Sequence, residues 1–231
     1  MLKLLFSFIF LFVFFLQPAN MTSAVAVDIS VQPDECLEIY SESELQEYID
    51  YRPFQHAYYA YTKIEPQKKD ILTLIDFSKP SSEERLFVID LEKREILFRS
   101  YVAHGRNSGE KYATSFSNET GSYKSSLGFF VTGGTYNGSN GYSLRLNGLE
   151  SGINDKAFER AIVIHAASYS NPDLIRNTGR LGRSLGCPAL PKELNRPIID
   201  AIKDGSLIYI YADSNDYFDN STLLSEFREE I

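Results

Sequence analysis

The residues best suited to covalent chemistry lie in the stretch Gly179-Arg180-Leu181-Gly182-Arg183-Ser184-Leu185-Gly186-Cys187-Pro188. A thiol on a glycine-rich turn, with fixed guanidinium charge just before it, has the surroundings that lower a thiol pKa and present it to an electrophile. An inert, buried cysteine normally belongs to an apolar run, whereas Cys187 stands between Gly186 and Pro188. Upstream, the run Ala161-Ile162-Val163-Ile164 ends at His165, and histidine is the usual general base at neutral pH. Cys187 and His165 together read as nucleophile and base of a cysteine enzyme; for His165 alone, the other reading is a strand-end residue satisfied by a hydrogen bond. Backbone N–H groups around Gly186 and Cys187 are the candidate oxyanion donors, because such a turn can aim amides at one point. Ser184 either orients the site or only braces the turn.

The elements that must position these groups are short. Apolar runs at 71–76, 86–91, 96–103, 128–131, 143–146, 161–165 and 207–211, with Gly133-Gly134, Asn137-Gly138 and Asn147-Gly148 between some of them, indicate a mainly antiparallel sheet. Leu91 to Ile96 reads as a hairpin connection. A helix is expected from Ser41 to Lys63, capped by Ser43 and broken at Pro53, its aromatic positions Tyr58, Tyr59 and Tyr61 docking on the catalytic domain. A second is expected from Lys192 to Lys203, broken or restarted at Pro197, with Leu194, Ile198 and Ile202 on one buried face. The fold class is therefore α+β, mainly β with flanking helices. The long Ser/Gly/Asn-rich loop from His104 to Gly128 is expected to be either functional or disordered, and in it His104 either touches substrate or is a hydrogen-bonded structural histidine.

Several signatures follow in order: Leu72 to Phe77, Arg85 to Leu91, Val102-Ala103-His104-Gly105, Phe116-Ser117-Asn118, Ser125-Ser126-Leu127-Gly128-Phe129, Ser143 to Glu150, Ile162 to His165 and the cysteine turn. Through them the chain, from about Ile71 to Tyr211, resembles the murein L,D-transpeptidase catalytic domains, in the branch with a Ser-x-Gly-Cys-Pro motif. The resemblance implies an antiparallel sheet or sandwich domain with an N-terminal helical segment. It also implies a Cys187 thioester formed on a peptidoglycan stem tetrapeptide with release of D-alanine, then transfer to an amine in a 3–3 crosslink. An L,D-carboxypeptidase acting on the same bond and a non-catalytic cell-wall-binding domain are the alternatives. Leu185 and Ala189 stand where the commonest motif has histidine and arginine, so Arg183, or else Arg180, is expected to hold the substrate carboxylate. Ala166-Ala167 replaces the glycine of many relatives. A papain-type protease is disfavoured because its cysteine precedes its histidine.

Met1-Leu2-Lys3, the apolar run Leu4 to Leu16 and Ala24-Val25-Ala26 read as a signal peptide cleaved after residue 26. Export to the periplasm or cell envelope of a bacterium, with no stable membrane span after cleavage, is the expectation. The expected plan is residues 1–26 signal, 27–66 helical segment and linker, 67–213 catalytic domain and 214–231 acidic tail. The net charge of −8, which becomes −9 once Lys3 is removed, argues against a nucleic-acid partner. No Cys/His cluster has zinc spacing, so neither metal nor cofactor is expected. The two cysteines, Cys36 and Cys187, are expected to be free thiols, with Cys36 in a mobile polar terminus.

Overall fold

Runs rich in β-branched and aromatic residues build one eight-stranded sheet in the computed structural model, which describes residues 33–64, 66, 68 and 70–229. The strands are β1 (Ile71–Asp76), β2 (Leu86–Asp90), β3 (Glu95–Ser100), β4 (Gly128–Gly138), β5 (Gly141–Gly148), β6 (Val163–Ala166), β7 (Ala189–Leu190) and β8 (Leu207–Tyr211). Their spatial order is 3-2-1-8-4-5-6-7. All pairs are antiparallel except β1 with β8 and β6 with β7. Every residue of β1, β2 and β8 is buried, which is why these strands read as continuous rather than alternating apolar runs. The proposed signal segment, residues 1–26, lies outside the described residues.

The helices are α1 (Pro33–Glu42), α2 (Tyr51–Ile64), α3 (Ile175–Thr178), α4 (Lys192–Ile202), α5 (Asn215–Asn220) and α6 (Thr222–Glu229). From α2, Phe54, Ala57, Tyr58 and Ala60 join the core that β1, β2 and β8 supply, so the N-terminal segment docks as expected. Its boundaries differ from the sequence reading. Ser43 does not start a helix: its hydroxyl donates to the Ile39 carbonyl at 2.5 Å, closing α1, and Glu44 then takes a left-handed φ of 59° that turns the chain. Pro53 falls in the first turn of α2, where a missing N–H is harmless. Pro197 does not break α4 either, because burial of Ile198, Ile199 and Ile202 holds the helix together across it.

Gly133-Gly134 is not a turn but a bulge inside β4, between Thr132 and Thr135, and Asn137-Gly138 and Asn147-Gly148 are strand ends. The β4–β5 hairpin reverses at Ser139-Asn140. The expected acidic tail is instead the helix pair α5 and α6, which buries Tyr217, Phe218 and Leu224. The Glu150 carboxylate anchors this pair by accepting from the hydroxyls of Ser221 and Tyr217 and from the Phe129 N–H. Cys36 is buried in α1, not in a mobile terminus, and burial pushes its thiol up to about 11. Both cysteines are free. Among the described residues, no helix is long and apolar enough to cross a membrane.

Candidate active site

Strand β6 sets the imidazole. Its register places His165 opposite Ser143 of β5 and beside Ala189 of β7, two residues past Cys187. The ring is buried, with Nδ1 2.9 Å from the Ala166 carbonyl. A carbonyl only accepts, so Nδ1 carries the proton and Nε2 keeps its lone pair. Burial lowers the pKa of His165 below the ordinary histidine value, which keeps the ring in the form a general base needs.

The thiol of Cys187 is half-buried and donates to the Ala161 carbonyl at 3.6 Å. Ala161, read from the sequence as the start of a strand, has a left-handed φ of 54° and precedes β6 in a turn. Burial pushes the Cys187 thiol up, and the Val163 N–H and the Arg160 guanidinium only partly offset it. The expected depression of its pKa is therefore not found, because removal from water outweighs the positive charge. At neutral pH Cys187 is therefore held as the thiol, and any attack by its sulfur would need the proton to be taken at the same time. Among the described residues no hydrogen bond joins it to His165.

Ser184 is the brace of the turn. Its Oγ accepts from the Gly186 N–H at 3.0 Å and donates to the Cys187 carbonyl at 2.6 Å. The Gly186 N–H is thereby spent, so of the two candidate oxyanion donors only the Cys187 N–H is left. Gly186 has a φ of 128°, and a Cβ there would stand 2.9 Å from the Lys124 carbonyl oxygen, so only glycine fits. The wall behind it is built by Ser125, whose Oγ donates to the Gly186 carbonyl at 2.9 Å and accepts from the Gly105 N–H at 3.0 Å. These bonds order the long loop against the cysteine.

His104 is fully buried, with Nδ1 accepting from Arg85 at 2.8 Å and Nε2 at 3.3 Å from the Gly109 carbonyl. Burial and the Arg85 charge lower its pKa to about 3. The ring is thus wholly withdrawn from solvent and held by hydrogen bonds, which favours the structural reading of His104 over the substrate-contact one. Arg85, itself fully buried, also donates to the carbonyls of Val102 and Lys79 and lies 4.7 Å from the centre of the Phe77 ring. Arg183 and Arg180 converge on one carboxylate, that of Glu110, at 2.7 and 3.0 Å.

The model of the L,D-transpeptidase catalytic domain matches residues 45–211, a span that holds the whole site. The chain belongs to this family. Solved structures that match the chain include an L,D-transpeptidase from Mycobacterium smegmatis, 13% identical over 62% of this chain and 59% of that one (TM-score 0.40). Another is the helical cell shape determining protein Pgp2 from Campylobacter jejuni, 13% identical over 73% of this chain and 60% of that one (TM-score 0.43). The chain thus spans about three fifths of the length of these proteins. No curated protein matches it.

Two residues of this L,D-transpeptidase domain escape a reading by sequence neighbourhood. Arg160 is the cation whose charge acts on the Cys187 thiol, and Tyr169 is pushed up to about 12 by its own burial and by that thiol. Neither is near Cys187 along the chain, and neither belongs to a motif. Among the described residues no group of three or more His, Cys, Asp or Glu could hold a metal ion.

Proposed function

We propose that this L,D-transpeptidase-family protein is an exported cysteine acyltransferase of the bacterial periplasm or cell envelope, acting on peptidoglycan stem tetrapeptides. The observation that carries this reading is the state of His165: neutral, with Nδ1 committed to a carbonyl and Nε2 free, on the strand that pairs with the segment just past Cys187. In the proposed reaction His165 Nε2 takes the thiol proton as Cys187 Sγ attacks the carbonyl carbon between the third residue and the terminal D-alanine. The Cys187 N–H receives the developing oxyanion, and one such donor is worth ~3 kcal/mol in acyl transfer. The C–N bond breaks, the imidazolium returns its proton to the departing D-alanine amine, and a thioester remains. An acceptor amine gives a proton to His165, attacks the thioester and breaks the C–S bond, leaving a 3–3 crosslink and a reprotonated Cys187. Arg183 and Arg180 are assigned to the substrate carboxylate, because their guanidiniums converge, through one nitrogen each, on the two oxygens of a single carboxylate, that of the exposed Glu110, which a substrate carboxylate would replace.

Mass analysis of purified stem tetrapeptides incubated with the protein tests this. Crosslinked dimers with free D-alanine are expected. Tripeptides alone would make water the acceptor and the protein an L,D-carboxypeptidase, and unchanged tetrapeptide would leave a binding domain.

A further inference from the structure

We propose that Arg160 is the positioning residue of the nucleophile: its guanidinium clamps the long loop against the cysteine turn and supplies the positive charge from which the thiol benefits. This rests on the reading of Cys187 as nucleophile. The guanidinium donates to the carbonyls of Ser117 at 2.7 Å and Lys124 at 2.8 Å, and to the hydroxyls of Ser126 at 2.5 Å and Ser122 at 3.3 Å. All four acceptors are neutral, so its charge is solvated but not cancelled.

Two backbone points tie Arg160 to the nucleophile. The Lys124 carbonyl that it holds is the atom packed on Gly186, next to Cys187. The residue after it, Ala161, offers the carbonyl that accepts from Sγ. The other cations of the turn are engaged elsewhere, since Arg180 and Arg183 both pair with Glu110. Charged and titratable groups around the pair leave the field of Arg160 on the thiol. Tyr169 stays neutral near the thiol, with its pKa pushed up to about 12, and His165 on β6 is neutral. Glu119, the carboxylate nearest in effect to Arg160, pairs with Lys156 at 3.6 Å.

The test needs no peptide substrate. Alkylation of Cys187, located by peptide mass, is followed against pH for the native protein, Arg160→Gln and Arg160→Lys, with thermal melts to confirm folding. The rate with iodoacetamide near neutral pH should fall roughly tenfold in Arg160→Gln, with the profile moved to higher pH. Arg160→Lys, which keeps the charge and loosens the clamp, should lower the melting temperature and keep most of the rate. Folded Arg160→Gln with the native profile would overturn the proposal. A second readout uses the native protein alone: iodoacetate, an anion, should gain on iodoacetamide at Cys187 relative to the same pair on a free thiol such as glutathione. A ratio no higher than that of glutathione would overturn it as well. Failure to form an acyl-enzyme, with Arg160-dependent alkylation intact, would refute the proposed reaction and leave this inference standing.

Discussion

At the scale of single residues, burial sets the protonation states of the site more than neighbouring charge does. The thiol of Cys187 is pushed up and His165 pushed down, so at neutral pH both are uncharged and the proton has to move during attack. Turnover should therefore persist down to the ordinary histidine value of about 6.5 and decline only below it, as His165 takes a proton. Removing the base in His165→Ala should cost on the order of 10²- to 10⁴-fold in acylation. The check is a pH–rate profile of native and variant; an acid limb already half lost at pH 7, or a variant acylating at the native rate, would speak against His165 as the base. The candidate nucleophile and base stand out in the sequence because a Gly-Cys-Pro turn and a strand-end histidine are local patterns. The cation was not legible: Arg183 is nearest along the chain, but folding gives it to Glu110 and brings Arg160 in from the turn before β6.

At the scale of elements, the cysteine turn is braced by Ser184, each of whose polar groups is engaged. Ser184 ties Gly186 to Cys187, its own N–H goes to the His104 carbonyl at 2.9 Å, and its carbonyl accepts from the Arg106 N–H at 2.8 Å. Ser184→Ala should therefore destabilise the fold by about 1–3 kcal/mol and slow Cys187 acylation, while Leu185→Ala, at an exposed position of the same turn, should do neither. Denaturant melts and acylation rates of the two variants decide this, and a Ser184→Ala protein equal to native in both would remove the brace. Of the sheet, the strands that are long and apolar could be read from sequence. Strand β7 could not, since two residues carry no period, and Gly133-Gly134 misled because a bulge uses the same residues as a turn. The helix boundaries near Ser43 and Pro53 slipped because a hydroxyl near a helix end can close the previous helix as readily as open the next.

At the scale of the whole molecule, buried polar groups fasten the periphery to the sheet. Glu150 holds α5 and α6, and Arg85 with His104 holds the start of the long loop beneath the cysteine turn. An acidic composition made residues 214–231 look like a tail, yet Tyr217, Phe218 and Leu224 supply enough apolar surface to dock them. His104 also gives the fold an acid limit. Above its unfolded pKa of about 6.5 the ring is neutral in both states. Between there and its folded value of about 3 only the unfolded chain takes the proton, so stability is lost as pH falls through that window. Unfolding free energies measured from pH 7 to pH 4 should decline more steeply for the native protein than for His104→Gln; parallel declines would mean that His104 is not held neutral.

The central claim is that Cys187 becomes acylated by a stem tetrapeptide with loss of D-alanine. Intact-protein mass spectrometry after brief mixing with the tetrapeptide tests it most directly. The native protein should gain the mass of the tripeptide acyl group, mapped to Cys187, and folded Cys187→Ala should gain nothing. A native protein that stays unmodified while releasing D-alanine, or an adduct that persists in Cys187→Ala, would contradict the account.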